Sequence, residues 1–380
     1  MSKRINLLFF AGLFLLPPAC RSQADGPADK AASKETVQLY RNLKKLAEKG
    51  YLFGHQDDLA YGVEWRYKDG RSDVFETAGD YPGIYGWDLG GIERGTGDVN
   101  LDGVPFRKMK QFIRQGYERG AVITLSWHAA SPFGAPAGSW DTTKGSVSSV
   151  IPGGAHHELY KQWLDNIASF ISSLRGSRGE LIPVFFRPFH EHTGNWFWWG
   201  RAHCTPFEYQ TLWRFTYYYL TEEKKLHNLL WVYNTGSEFE TEEEFLERYP
   251  GDDKTDVLSF DTYQYGDPEK EPWFMENTRK KLDLLGKIAA RKNKLFALAE
   301  TGYEAVPYTE WWTKTLVNAI GSNKIAWVLV WRNHGWMADS RKMHYYAPYK
   351  GQASAADFIR FYELERTLFE KDVKKENVYQ

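Results

Sequence analysis

The chain has 380 residues and a formal net charge of −1. That balance supplies no field to draw in nucleic acid or an acidic membrane surface, so neither is an expected partner. The length suits one large domain of barrel type, able to bury roughly three quarters of its unfolded surface. Aromatic residues make up 16% of the chain, with 16 Trp and 23 Tyr, more than a core alone requires. Trp and Tyr combine apolar faces with polar tips, which suits them to sugar rings. The two cysteines, Cys20 and Cys204, are too few for a cysteine metal site.

At the start of the chain, Lys3 and Arg4 precede an apolar stretch from Ile5 to Leu16. It is too short to span a bilayer and reads as a signal peptide over residues 1–19. Pro17, Pro18, Ala19 and Cys20 follow, and a small residue before cysteine resembles a bacterial lipoprotein cleavage site. The match is imperfect, because Leu16 sits one place early and Pro17 holds the usual aliphatic position. The expectation is export to the cell envelope with a lipid on Cys20, periplasmic or at the outer membrane. An ordinary secretory signal is the other reading. Cys204 then has no disulfide partner, which a large exported protein can do without.

Residues 20–33 are small, polar and unpatterned, and read as a flexible tether to a single domain over residues 34–373. Helical periodicity starts near Glu35 and ends at Gly50. Short apolar runs then alternate with longer amphipathic ones. The runs predict strands at Tyr51–Phe53, Gly83–Gly86, Ala121–Ser126, Pro183–Phe186, Leu229–Tyr233, Val257–Ser259, Leu295–Ala299 and Ala326–Val330. Helices are predicted between most of them, as at Phe106–Arg119, Glu158–Leu174, Pro206–Glu223, Trp273–Arg291 and Tyr308–Ala319. Eight buried strands separated by helices give an α/β fold, a single (β/α)8 TIM barrel. Trp311 and Trp312 lie on a helix and read as core. The pair His156 and His157 reads as packing at a helix start.

Active sites of such barrels lie at the C-terminal ends of the strands. The residues just after the runs are His55-Gln56, Trp87-Asp88, Trp127-His128, His190-Glu191, Asn234, Asp261 with Tyr263, Glu300, and Trp331-Arg332. Cleaving a glycosidic bond needs two carboxyl groups in different protonation states. Glu191 lies in FFRPFHEHTGNWFWWG, among His190, Trp196, Phe197 and Trp198; partial burial would keep it protonated as the acid. Glu300, in LFALAETGYE, would be the nucleophile, with Arg332 and Tyr263 on neighbouring strands as its cation and phenol donor. A metal reading pairs His190 with His192 on one side of an extended segment and leaves Glu191 out. The carboxylate reading needs neither metal nor cofactor and is the one adopted.

FFRPFHEHTGNWFWWG resembles the acid/base signature of glycoside hydrolase family 26, whose commonest members are β-mannanases. LFALAETGYE resembles that family's nucleophile strand. SWHAA, DTYQYG and VLVWRNH are similar to its other strand-end motifs, and the likeness runs from about Lys34 to Phe369. The resemblance implies Glu191 as general acid/base, Glu300 as nucleophile, and retention through a covalent intermediate. It also implies His128, His190, Trp196, Tyr263 and Trp331 around the cleaved bond, Trp140 on an outer sugar, Asp261 in support, and Arg187 orienting the carboxylates. His55, Asp88 and Arg332 are less determined and would hold the barrel mouth. The implied substrate is β-1,4-mannan, galactomannan or glucomannan, hydrolysed by a monomeric endo-mannanase. Release of mannobiose from chain ends, and action on mixed-linkage glucan or β-1,3-xylan, stay open. A non-catalytic glycan-capture lipoprotein is the reading from another class; it gives no reason for paired strand-end carboxylates.

Overall fold

The structure, a computed structural model, describes residues 26–95 and 97–380. The expected signal peptide and Cys20 lie outside the described residues. Eight strands carry the fold: β1 Tyr51–Gln56, β2 Ile84–Asp88, β3 Val122–Trp127, β4 Val184–Pro188, β5 Leu229–Thr235, β6 Val257–Asp261, β7 Leu295–Thr301 and β8 Trp327–Val330. Each pairs in parallel with the next. β8 closes on β1, with Leu52 opposite Trp327 and His55 opposite Val330. This is the expected (β/α)8 barrel.

Every strand predicted from an apolar run is present, and most run further toward the C-terminal end than the run does. β4 takes in Arg187 and Pro188, β5 Asn234, β6 Asp261 and β7 Glu300. Hydropathy stops at the first polar side chain, but the backbone ladder continues through it. These polar groups therefore stand on paired, rigid backbone rather than on loops.

Strands covered on both faces bury every residue, as in the VITLSW run of β3. Phe185 of β4 meets Trp327 of β8 across the barrel, with ring centroids 5.0 Å apart. Outside, Trp231 of β5 packs on Trp213 of the helix Pro206–Tyr218. That helix begins with Thr205, whose hydroxyl and Glu208 form a reciprocal cap, and with Pro206 where a missing N–H costs nothing. Trp87, Trp127, Trp198, Trp199, Trp213, Trp231, Trp311, Trp312 and Trp327 are sealed inside, whereas Trp140, Trp196, Trp273 and Trp336 are exposed. Truncating one of the sealed rings to alanine costs about 3–5 kcal/mol.

The domain is wider than residues 34–373. Ala28 and Asp29 are buried, the Ala28 N–H donates to Asp256 Oδ1 at 2.6 Å, and Ser33 caps the first helix. Residues 27–29 of the expected tether are thus packed against the barrel, whereas Lys30 and Ala31 are exposed. At the other end, Thr367–Leu368 pairs with Tyr51 and Leu52 beside β1, and the Tyr379 hydroxyl donates to the Ala121 carbonyl.

Candidate active site

β4 ends in an unusual turn. Phe189 and Glu191 both adopt left-handed backbone, with φ of 49° and 53°. Non-glycine residues rarely do so, and each instance carries a cost on the order of 1–3 kcal/mol. The turn is pinned from behind: Tyr209 donates to the Phe189 carbonyl at 3.1 Å, and Trp199 Nε1 donates to the His190 carbonyl at 2.7 Å. The two left-handed residues break the alternation of an extended segment. His190 therefore faces His128, with Nε2 atoms 3.2 Å apart. His192 lies between the rings of Tyr209 and Tyr233 instead. The surroundings differ, so the two imidazoles form no joint ligand pair.

β7 carries a bulge. Phe260 faces Leu298 and the next residue, Asp261, faces Glu300, so Ala299 is the extra residue. Such bulges re-aim the side chain that follows. Here it sends Glu300 into the barrel mouth toward β4. One oxygen from each of Glu191, Asp261 and Glu300 lies within 4.8 Å of the others. That closeness fits the roughly 5–5.5 Å carboxyl spacing of retaining glycosidases.

Arg187 organises this cluster. Its Nη1 donates to Asp261 Oδ2 at 2.8 Å and to Asn234 Oδ1 at 2.9 Å, and its Nη2 donates to Glu300 Oε1. Asn234 in turn donates to Asp261 Oδ1 at 3.0 Å. Tyr263 donates to the other oxygen of Glu300 at 3.0 Å. The guanidinium thus supplies the positive charge that three clustered carboxyls would otherwise seek in a metal ion. Burial opposes its charge, but Glu300 and Asp261 hold its pKa above the ordinary range.

Among the described residues, Glu191 has no ion-pair partner of its own. Its Oε2 accepts from Trp196 Nε1 at 2.7 Å. Burial first, and the charge of Glu300 second, push its carboxyl up to about 7. Below about pH 7 it therefore still carries a proton.

A second relay buttresses the opposite wall. Asp88 accepts from Ser126 Oγ at 2.5 Å and from the Gly90 N–H at 2.6 Å, and meets His128 Nδ1 at 2.7 Å. Burial works against both charges, yet their attraction outweighs it: His128 is raised and Asp88 lowered. His190 behaves oppositely. Burial and the charges of His128 and Arg187 push it well below its ordinary value, so it is a neutral ring facing the mouth. Trp140 stacks on His128 at 5.4 Å, and Trp331 lies 6.4 Å from it.

Glu191, Glu300, Arg187, Asp261, Tyr263, His190, His128, Trp196, Trp140 and Trp331 therefore converge as expected. One expectation is corrected. The cation on Glu300 is Arg187, not Arg332, whose Nη1 donates to Asp102. His55 bonds Asp58 at 2.7 Å with both side chains sealed, which fits a residue that holds the barrel mouth. Asp88 acts through His128 and touches neither carboxylate of the pair. Sequence reasoning also passed over Asn234 as the residue that locks Arg187 to Asp261. Its signal was an asparagine ending a fully apolar strand.

The profile of Glycosyl hydrolase family 26 matches residues 28–343. The chain belongs to this family. A mannan endo-1,4-beta-mannosidase of Bifidobacterium adolescentis is 32% identical over 370 residues, covering 92% of this chain and 36% of that protein. One of Thermothelomyces thermophilus is 29% identical, covering 73% of this chain and 52% of its own length. The chain thus spans a third to a half of these curated relatives. A solved family 26 beta-mannanase of Bacteroides ovatus superposes with a TM-score of 0.86 at 45% identity, covering 92% of this chain and 98% of that one. A modular endo-beta-1,4-mannanase of Cellulomonas fimi gives a TM-score of 0.81 at 32% identity, with coverages of 91% and 78%.

Proposed function

We propose that this chain hydrolyses internal β-1,4-mannosidic bonds of mannan, galactomannan or glucomannan by double displacement with retention. The observation that carries the reading is the Glu191–Glu300 pair, close enough for nucleophilic attack and differently equipped. Glu191 holds a proton near neutral pH and donates it to the leaving oxygen. Glu300, gripped by Arg187 and Tyr263, attacks the anomeric carbon. Forming the glycosyl ester removes the charge on Glu300 that helps to raise Glu191. Glu191 then becomes a better base at the moment it must take a proton from water, and the same residue serves both steps. His190 and His128 face the reacting sugar, and Trp196 fixes the acid. The mannan specificity draws its support from the activities named for the relatives of Bifidobacterium, Thermothelomyces, Bacteroides and Cellulomonas.

The chain would act outside the cytoplasm as a monomer, held at the cell envelope by a lipid on Cys20. Mass spectrometry of the protein from its native membrane would read that lipid; an unmodified Cys20 would overturn the anchor alone. For the reaction, NMR of the first products from mannohexaose is decisive. Newly formed β-anomer supports retention. Newly formed α-anomer, or no release from any mannan, would sink the assignment.

A further inference from the structure

The groove does not end at the reacting pair. On the Glu191 side it continues over the ends of β5 and β6 as a trough of about 410 Å³. Trp196, Tyr263, Tyr265 and Trp273 contribute aromatic walls, and Glu238 lines it with them. Tyr265 is 75% exposed and Trp273 is 54% exposed. Isolated exposed aromatics are ordinary, and Phe207, at 73%, is one of them on the outer helix. Two that share a trough with the catalytic acid are different.

Both rings stand on held backbone. Gln264 Nε2 donates to the Tyr265 carbonyl at 2.8 Å, and the Gln264 N–H pairs with the Gly302 carbonyl beside β7. Trp273 is the first residue of the 20-residue helix Trp273–Lys292. The facing loop is tied down as well, since Thr193 Oγ1 donates to Glu238 Oε2 at 2.9 Å and accepts the Gly236 N–H at 2.9 Å. Rigid aromatic faces lose little entropy when a sugar ring covers them.

The direction follows from the chemistry. The acid protonates the leaving oxygen, so the trough reached past Glu191 takes the leaving half of the substrate. We infer that Tyr265 and Trp273 form a stacking platform for the mannosyl units beyond the leaving residue. They thereby set how much chain the enzyme needs on the reducing side of the cut. This rests on the proposed mannanase reading.

The test compares mannopentaose, which reaches the platform, with an aryl β-mannobioside, whose leaving group is a single aryl ring. In Tyr265→Ala and Trp273→Ala, kcat/KM for mannopentaose should fall about tenfold relative to that for the aryl substrate, through a rise in KM. Trp273→Phe should recover most of the loss. Phe207→Ala, an exposed ring outside the trough, should leave both substrates unaffected. If the chain turns over both substrates and the ratio is unchanged in the alanine variants, the platform is overturned while the mannanase reading stands. If neither substrate is turned over by the unaltered chain, both fall.

Discussion

Two acidic clusters sit at the mouth of the same barrel. One spans the ends of β4 to β7 and holds Glu191, Asp261 and Glu300. The other spans β1, β8 and the loop after β2, and holds Asp57, Asp58 and Asp102. In the second cluster each carboxyl has its own partner: Tyr61 on Asp57 at 2.5 Å, His55 on Asp58, and Arg332 on Asp102. In the first, Asp261 and Glu300 share a single guanidinium and Glu191 has only an indole N–H. On the proposed reading, a strand-end carboxyl serves as the acid when it lacks a dedicated cation, opens to a groove, and faces a second carboxyl whose charge keeps its proton on. One with a private partner in the interior holds the barrel shut.

The strongest way to break this contrast is to remove the nucleophile. Glu300→Gln should cut kcat on mannan by roughly 10⁴-fold or more while oligosaccharide still binds, read by product release and calorimetry. Retained turnover would move the chemistry elsewhere. Glu191→Ala should cost about 10²- to 10⁴-fold on mannan and far less on an aryl glycoside, whose leaving group needs no proton. Azide should restore the lost rate and yield a β-glycosyl azide; an α-azide would refute retention.

A smaller effect concerns pH. Because Glu191 must be protonated and titrates at about 7, kcat/KM should fall as pH rises through 7, approaching about tenfold per unit above it. In Glu300→Gln the second-largest cause of that raised value is gone. A pH titration of Trp196 fluorescence should then report the Glu191 transition at lower pH than in the unaltered chain. No downward shift would mean that the two carboxyls are not coupled. The smallest effect on rate should come from the other cluster. Asp58→Ala strips His55 of its partner and should lower unfolding free energy by about 1–3 kcal/mol in urea. Its kcat should stay within about twofold. A large loss of activity in a stable Asp58→Ala protein would erase the distinction between the clusters.

The barrel and the strand-end positions of Glu191 and Glu300 were readable because both are written locally. Eight apolar runs of strand length mark the ladder, and Glu191 and Glu300 follow two of them. The partner of Glu300 was not readable in the same way. Arg187 sits inside an apolar strand, 113 positions from the residue it grips, and only closure of the ring brings them together. Arg332, two residues past its strand and next door to β7, looked like the nearer cation, but the loop carrying Asp102 captures it. The bulge at Ala299 left no mark in hydropathy either, because an extra apolar residue inside an apolar run changes nothing in the pattern. The packing of residues 27–29 was hidden for a related reason: short stretches of small and polar residues look alike whether they wave in solvent or lie on a surface.

The short strand Thr367–Leu368, wedged beside β1, has a consequence for how the molecule comes into being. A chain emerging from the ribosome presents β1 more than three hundred residues before the segment that completes its lower edge. The helix Ala355–Tyr362, that strand and Tyr379 all lie beyond residue 343, where the family match ends. A fragment cut at that point would keep Glu191 and Glu300 and still leave Tyr51 and Leu52, at the start of the first strand, without the partners that Thr367 and Leu368 supply. Folding to completion therefore waits until residues 367 to 379 have been made, and during that wait the backbone of Tyr51 and Leu52 is where another chain could pair instead.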